Sequence, residues 1–284
     1  MRYLFLVLAC ISLNIQIQAS DKTDGFQVEY SSLRGATLEK VKEFSWKKHC
    51  PVKPSELILL KISYFGFDEK SHIGELIVHR KAAPEVILIF KELYEKKFPI
   101  YSLEPMYKHL GSDDQSMIAN NTVAFNCRQV TNSKKSFSLH SYGIAIDINP
   151  FINPYYKKGK VIPVAARANL DRKKKQKGLI SKNTVCHDVF KRYGWKWGGD
   201  WKSLKDYQHF EKRLSVFKKE KRYSLMFKQL PTGAIIKIMN IRKPYASTKF
   251  LTRGLYDVKI ISGNETKRHW IKVDENRVVN YTDL

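Results

Sequence analysis

The chain has 284 residues, and its 51 lysine and arginine residues against 27 acidic ones give a formal net charge of +24 and a pI near 9.8. That length suits one catalytic domain with a smaller appendage. The charge favours anionic partners, but the basic residues are spread out without an aromatic platform for stacking bases, so we expect no nucleic-acid partner. After the N-terminal region no segment stays uncharged for long enough to predict a transmembrane span.

Residues 1–19 have the order of a secretory signal. Arg2 precedes a largely apolar run from Tyr3 to Leu13, and the segment then reaches Gln18, Ala19 and Ser20, where we expect cleavage after Ala19. The sequence therefore predicts an exported protein that is periplasmic, extracellular or associated with the cell wall. Lipidation at Cys10 is an alternative, but the apolar segment continues past this cysteine instead of ending there.

Three cysteines remain in the mature chain, namely Cys50, Cys127 and Cys186. An oxidising compartment permits one disulfide among them, and an odd number leaves at least one thiol free or paired between chains. The sequence alone leaves the pairing open.

Strands and helices alternate irregularly over the first two thirds of the chain. Apolar, β-branched runs predict strands at residues 57–64 and 74–79, and helical spacing of apolar residues predicts helices over 84–94 and 184–193, with a short helix around 38–46. The basic run 172–177 is interpreted as an exposed loop. Without regular βαβ alternation, the pattern favours an α+β fold with an antiparallel sheet and flanking helices.

The last part of the chain changes character. Short β-like runs at residues 254–261, 269–273 and 277–281 are separated by turn residues. We therefore predict a main domain over residues 20–214 and a basic, β-rich C-terminal extension over 215–284. This extension is either an electrostatic anchor to anionic polymers or a unit packed on the main domain through apolar residues such as Ile235.

The chemistry concentrates first in residues 138–149. Ile144, Ile146 and Ile148 alternate with small or polar residues, which predicts a strand with one apolar face. Asp147 lies on the other face, and a glycine-bearing turn can fold His140 back to the same point. A carboxylate and an imidazole that share one cavity can hold a divalent ion.

A second cluster follows in residues 195–211. Zinc catalysis needs three protein ligands, a position open to water and a carboxylate that accepts a proton. His209 is the candidate third ligand, and Asp206 is the candidate base three residues before it.

These motifs resemble a known family. The pattern Ser-x-His-x-x-Gly-x-Ala-x-Asp from Ser138 to Asp147, followed by Asp-x-x-His at residues 206–209, resembles the zinc D-alanyl-D-alanine carboxypeptidases and L-alanyl-D-glutamate endopeptidases. These enzymes share a fold with the hedgehog signalling domain. The resemblance spans residues 74–211 and includes the Trp-Gly-Gly-Asp-Trp segment at 197–201 together with Arg128.

The resemblance implies a role for each matched residue. One zinc ion per chain is expected on His140, Asp147 and His209, with Asp206 as the catalytic carboxylate. Arg128 is expected beside the substrate carbonyl or carboxylate, where its planar fork of donors stabilises negative charge. Ser138 and Tyr142 complete the expected substrate-binding set. Two alternatives stay open: Arg128 as the structural partner of a carboxylate, and Tyr142 and Glu211 as packing or supporting residues.

The expected function is hydrolysis of an amide bond in the peptidoglycan stem peptide by a secreted zinc metallopeptidase of the carboxypeptidase or endopeptidase type. Its partners would be peptidoglycan or its peptide fragments, with anionic wall polymers in addition. The alternative from another class is a non-catalytic zinc-containing module for wall binding or signalling. Asp206 argues against that alternative, because a purely structural zinc site needs no base.

Overall fold

A computed structural model describes residues 25–130, 136–213, 221–241 and 250–284. The predicted signal peptide, its cleavage point after Ala19 and the alternative lipidation site Cys10 lie outside these residues. The boundary predicted between residues 214 and 215 also lies outside them, so the division into two domains stays a prediction. Among the described helices, none combines the length and the apolar character that a membrane crossing requires.

Short helices connect and flank the sheets. The α-helices of the described residues are α1 (Gly35–Lys40), α2 (Ala83–Glu95), α3 (Asp113–Ile118) and α4 (Val185–Arg192). A π-helical turn over Val41–Ser45 continues α1, so the short helix expected around residues 38–46 is present in this form. The 3-10 helices are Pro54–Glu56, Met106–His109, Leu139–Tyr142, Val164–Leu170, Gly198–Asp200 and Tyr281–Asp283.

Strands before residue 213 form several small sheets. They are β1 (Val28–Ser32), β2 (Leu57–Gly66), β3 (Ser71–His79), β4 (Pro99–Ile100), β5 (Ser102–Leu103), β6 (Asn121–Thr122), β7 (Ala145–Asp147), β8 (Tyr155–Lys157), β9 (Lys160–Ile162), β10 (Lys196–Trp197), β11 (Lys205–Asp206) and β12 (His209–Glu211). The largest sheet has the order β1-β2-β3, antiparallel throughout, with β4 parallel to β2. The α+β class is confirmed, although the antiparallel pairing is divided among several sheets.

Helix α2 covers the β1-β2-β3 sheet with its apolar stripe. Pro84 lies in the first turn, where its missing N–H costs nothing. Val86, Ile89, Phe90 and Leu93 follow at helical spacing and are almost completely buried against the sheet. Helix α2 confirms the helix predicted over 84–94, and α4 confirms the one predicted over 184–193.

The strand expected from the isoleucine alternation is shorter than its pattern. Within residues 143–149, only the three residues of β7 form a strand. Gly143 turns the chain before it with a φ of 64°, and Pro150 follows shortly after it. The sheet β10-β12-β7 is antiparallel, and Ile144, Ile146 and Ile148 are fully buried beneath it. The period-2 signal thus marks the buried face but overstates the length of the strand.

The basic run 172–177 is not a wholly exposed loop. The Arg172 guanidinium donates hydrogen bonds to the carbonyls of Ile152, Asn169 and Ile180 and to the side chain of Asn153. It also lies 4.6 Å from the centre of the ring of residue 207. This arginine crosslinks three chain segments, so the prediction of a solvated loop is wrong at its first position and holds for the exposed lysines 173–175.

The C-terminal region forms a β unit with its own apolar core. Its strands are β13 (Arg222–Lys228), β14 (Ile235–Ile238), β15 (Phe250–Thr252), β16 (Gly254–Ser262), β17 (Glu265–Val273) and β18 (Arg277–Asn280). They form two three-stranded sheets with the orders β15-β13-β18 and β14-β16-β17. The small C-terminal β extension expected from the sequence is therefore present.

This β unit packs on the rest of the protein. Leu255 is buried in the main hydrophobic core together with residues of α2 and β2, and its N–H donates to the carbonyl of Arg80 at 3.1 Å. The Arg80 guanidinium lies 4.7 Å from the centre of the Tyr256 ring. Packing of the extension, one of the two interpretations of the tail, thus has direct structural support, but through Leu255 and not through Ile235, which is exposed.

A buried carboxylate anchors the same interface. Asp257 is fully buried and accepts hydrogen bonds from Ser32 at 2.7 Å and Arg34 at 2.9 Å, both at the end of or just after β1. Beside it, Tyr30 and Trp270 meet edge to face with ring centres 5.5 Å apart. Since a buried charge is stable only when it is paired, these contacts fix the orientation of the unit.

Cys50 and Cys127 form a disulfide, and Cys186 is a buried free thiol. The bond joins positions 77 residues apart. Replacing both cysteines with serine should therefore lower the free energy of unfolding by about 2–5 kcal/mol, because the unfolded chain regains the freedom that the crosslink removes. Urea unfolding measures the loss.

Reductant supplies the control for this prediction. It should lower the stability of the wild-type protein to that of the double variant and leave the variant unchanged. Equal unfolding free energies for the oxidised wild type and the double variant would show that the crosslink is not formed or not stabilising.

Candidate metal centre

A capped turn presents His140. The hydroxyl of Ser138 accepts a hydrogen bond from the His140 N–H at 3.3 Å and thereby starts the 3-10 helix Leu139–Tyr142. Gly143 ends this helix in the left-handed region, and a Cβ at this position would lie 2.6 Å from the backbone nitrogen of His79. Only glycine satisfies both conditions, so the turn folds the imidazole back over β7 as expected.

Cross-strand pairing brings the other two side chains together. In the antiparallel pair β7 and β12, His209 lies directly opposite Asp147. The His209 Nδ1 atom is 2.9 Å from Asp147 Oδ1, and His140 Nε2 is 3.2 Å from both His209 Nδ1 and Asp147 Oδ2. All three side chains are buried. The structure thus unites the three predicted ligands at one point.

The spacing of these donor atoms suits one metal ion. Ligand atoms at usual zinc distances and tetrahedral angles lie about 3.3–3.5 Å apart, close to the 2.9–3.2 Å that separate the two imidazole nitrogens from each other and from the Asp147 carboxylate oxygens. Two imidazoles and a carboxylate also form a donor set that zinc accepts. Within the described residues, His140, Asp147 and His209 are the one group of three or more such side chains that could hold a metal ion.

Neighbouring groups orient both imidazoles. The Nδ1–H of His140 donates to the carbonyl of Ala124 at 2.6 Å, which leaves Nε2 as the lone-pair nitrogen facing the cluster. On the other side, Glu211 Oε2 lies 3.2 Å from His209 Nε2, which leaves Nδ1 facing the cluster. Such partners fix the tautomer and raise the basicity of a ligating histidine.

The charges of the carboxylate and the two imidazoles in this cluster stabilise one another. Burial alone would raise the pKa of Asp147, but the imidazoles of His140 and His209 lower it far below its ordinary value. Burial would lower the pKa of His209, yet its hydrogen bonds to Asp147 and Glu211 raise it to about 10. The carboxylates around the imidazoles therefore favour positive charge at this point, whether a proton or a metal ion supplies it.

Asp206 lies beside this cluster on β11, which pairs with β8. Its Oδ1 atom is buried and has no hydrogen-bond partner among the described residues. Burial raises its pKa to about 6, opposed by the positive field of His209. A buried carboxylate oxygen without a partner is costly, and its position next to a metal-binding cluster is what a proton acceptor requires.

Tryptophans hold the segment that carries Asp206. The indole N–H of Trp197 donates to the carbonyl of Tyr207 at 2.8 Å, and the Trp201 ring lies 5.3 Å from the His209 ring. Trp195 and Trp197 are almost fully buried, whereas Trp201 is only partly covered. Trp195 and Trp197 therefore belong to the core, and Trp201 lies beside the His209 ring.

Gly198 allows the close approach of Asp206. A Cβ at this position would lie 2.5 Å from the Asp206 carbonyl oxygen and 2.8 Å from its Cβ. Gly198→Ala should therefore displace the Asp206 carboxylate and lower turnover about a hundredfold, while bound zinc stays near one ion per chain. Metal analysis together with steady-state kinetics measures both quantities.

Gly233→Ala in the C-terminal unit is the control for strain away from Asp206: its Cβ meets no atom within 4 Å, but the φ of 76° disfavours alanine, so this variant should lose some stability. It should keep full activity. Turnover at the wild-type level for Gly198→Ala would contradict the positioning role of this glycine.

The three expected substrate-binding residues surround the His140 turn, but each has a structural contact. Arg128 Nε lies 2.5 Å from Asp113 Oδ2, and the Arg128 carbonyl accepts the Ser138 N–H at 3.0 Å. The Ser138 hydroxyl caps the turn, and Tyr142 is half buried against the core. Their roles towards substrate stay predictions.

Sequence reasoning missed two supporting groups. Asp113 pairs with Arg128 and also accepts a hydrogen bond from Asn126 at 2.9 Å, and the carbonyl of Ala124 fixes His140. Asp113 lies outside any motif quoted above, and a backbone carbonyl leaves no mark in a sequence. Glu211 was noted as a supporting residue, and its contact with His209 agrees with that interpretation.

A buried pair of histidines with a carboxylate, next to a second carboxylate, is the residue set of mononuclear zinc hydrolases. Comparison with known families agrees: residues 131–212 match a family described as D-alanyl-D-alanine carboxypeptidase. The matched segment contains the three candidate ligands and Asp206 and covers less than a third of the chain. This match supports a peptidase but does not identify which bond is cleaved. No solved structure matches the chain.

Proposed function

We propose that this protein is a secreted zinc metallopeptidase that hydrolyses an amide bond in the peptide part of peptidoglycan. The reaction would be of the D-alanyl-D-alanine carboxypeptidase or L-alanyl-D-glutamate endopeptidase type. The observation that carries the proposal is the buried cluster of His140, Asp147 and His209 with the unpartnered oxygen of Asp206 beside it. A zinc site with only a structural role would have no use for that oxygen.

The chain's own residues divide the chemistry among them. A zinc ion supplies Lewis-acid chemistry, polarising a carbonyl and making water more acidic. His140 and His209, oriented by Ala124 and Glu211, would hold the ion together with Asp147. Asp206 accepts the proton of the attacking water at its unpartnered Oδ1 and returns it to the leaving amine.

Arg128 is the proposed electrophilic partner. Its side chain is about one third exposed and forms an ion pair with Asp113, so it is charged and within reach of solvent. In the proposed complex it turns towards the substrate carbonyl or carboxylate, where a planar fork of donors stabilises negative charge. The pairing with Asp113 then serves to hold the guanidinium ready when no substrate is bound.

Export is part of the proposal. The signal-like residues 1–19 predict it, and the Cys50–Cys127 disulfide is of the kind that forms in oxidising compartments. Peptidoglycan peptides lie outside the cytoplasmic membrane, so the compartment and the substrate agree.

The decisive experiment incubates the mature protein, residues 20–284, with intact peptidoglycan and with its soluble peptide fragments. Mass spectrometry of the products identifies the bond, since release of free D-alanine indicates a carboxypeptidase and a cut within the stem indicates an endopeptidase. A chelator should abolish the reaction, and added zinc should restore it. Full zinc occupancy without any cleavage product would favour the non-catalytic wall-binding module instead.

A further inference from the structure

A row of positive side chains crosses the outer face of the C-terminal sheet. In the register of β14-β16-β17, Lys237 pairs with Lys259, and Lys259 pairs with Arg268. The neighbouring residues Ile238, Val258 and Ile260 point to the core of the unit. Lys237, Lys259 and Arg268 therefore point outward. We call them the cationic row.

Like charges on directly opposite positions destabilise a sheet. The β1-β2-β3 sheet of the same protein avoids this cost, because its register places Glu29, Lys61 and Glu75 in one row with alternating sign. The cationic row has no such alternation. A repulsive arrangement that persists in a folded unit suggests that its benefit lies in binding and not in stability.

Counter-charges do not neutralise the cationic row. Arg268 forms an ion pair with Asp257, but that buried carboxylate also takes the Arg34 guanidinium, which is about half exposed. Lys237 is exposed and Lys259 is half buried, and neither has an acidic partner among the described residues. Two arginines therefore share one carboxylate at this place, and the two lysines beside them have none in the described part of the chain.

The cationic row lies on a ledge, that is, an exposed strip of the sheet surface with a wall of protein along one side. Asp257 and Trp270, two positions along β16 and β17 from the cationic row, are covered by β1 and the residues after it. The body of the protein therefore borders the row on one side. Adjacent strands are about 4.8 Å apart, so the three charges extend over about 10 Å beside this border.

We propose that the cationic row, with Arg34 at its edge, binds a linear phosphate-bearing polymer of the cell wall. Lysine ammonium groups suit phosphate oxygens as point charges, and a bordered ledge accepts a chain more readily than a flat bilayer. Trp270 is packed against Tyr30 and is not free to stack on bases, which disfavours single-stranded nucleic acid. This binding goes beyond the proposed hydrolysis and does not depend on it.

The test measures binding of the mature protein to long-chain inorganic polyphosphate at low and high salt. The double variant Lys237→Gln/Lys259→Gln should bind about tenfold more weakly at low salt and should lose affinity less steeply as salt rises. Its unfolding midpoint should equal or exceed that of the wild type, because the neutral row no longer repels itself. Hydrolysis of a small stem peptide should not change.

The control variant Lys173→Gln/Lys175→Gln removes the same charge from the exposed loop and should bind like the wild type. Equal weakening by both variants would overturn the proposal, since net charge alone would then explain binding. If the wild type bound phosphatidylglycerol vesicles or an oligothymidine more tightly than polyphosphate, the proposal would also be overturned. The vesicles are included because Ile235, on β14 with Lys237, is exposed and apolar. None of these binding measurements depends on peptide cleavage. The binding result can therefore be interpreted even if the protein has no hydrolytic activity.

Discussion

Replacing His140 or His209 with alanine is expected to remove tightly bound zinc together with hydrolytic activity. Each imidazole provides one donor atom, and the two nitrogens lie 2.9–3.2 Å from each other and from the Asp147 carboxylate oxygens. Losing one leaves two protein ligands and admits water to a buried site, which weakens zinc binding sharply. Asp147→Ala should behave in the same way. Metal analysis after dialysis, with stem-peptide cleavage measured in parallel, checks these expectations.

His72→Ala is the matched control, because this imidazole lies on β3, pairs with Asp68 and is partly exposed, away from the candidate metal ligands. It should keep one zinc ion per chain and full activity. Retention of one ion per chain by both the His140 and the His209 variants would mean that the metal is held elsewhere, and the ligand assignment would be wrong.

Asp206→Asn separates the base from the ligands. Asparagine keeps the size of the side chain but accepts no proton, so zinc content should stay at one ion per chain while turnover falls by about two to four orders of magnitude. The unpartnered Oδ1 of Asp206 is the atom whose function is removed. Single-turnover kinetics on a soluble stem peptide, compared at equal zinc occupancy, measures the fall.

Asp200→Asn serves as the control on the same segment. Asp200 lies in the neighbouring 3-10 helix, where Lys182 and Lys191 are its ion-pair partners near the surface, and its loss should change turnover little. If Asp206→Asn kept near-wild-type turnover with zinc bound, proton transfer would have to occur at another group.

The candidate metal centre was predictable because its side chains lie in short motifs. His140 and Asp147 are separated by one turn and one strand, and the predicted return of the chain at Gly143 is confirmed by its positive φ. The pairing of His209 with Asp147 across 62 residues came only from the need for a third ligand and from family resemblance. Local pattern alone says nothing about which distant strand will be the neighbour.

What the sequence did not disclose are contacts that depend on packing. Arg172 was expected in a solvated loop because its neighbours are lysines, but its fork of donors satisfies buried carbonyls instead. The Asp113 partner of Arg128 lies 15 positions away without a motif, and the strand β1 has too weak an alternation to be recognised. In each case the deciding partner is remote in the chain.

The docking of Leu255 and Asp257 has a consequence for processing of the protein. Leu255 fills the same core as helix α2, and the hydroxyl of Ser32 and the guanidinium of Arg34 meet at the Asp257 carboxylate. A protease that removed the last part of the chain would open this core to water and leave the groups around Asp257 without their partner. We therefore expect removal of the C-terminal unit to destabilise the part of the protein on which it packs, and the mature protein to keep this unit during its working life.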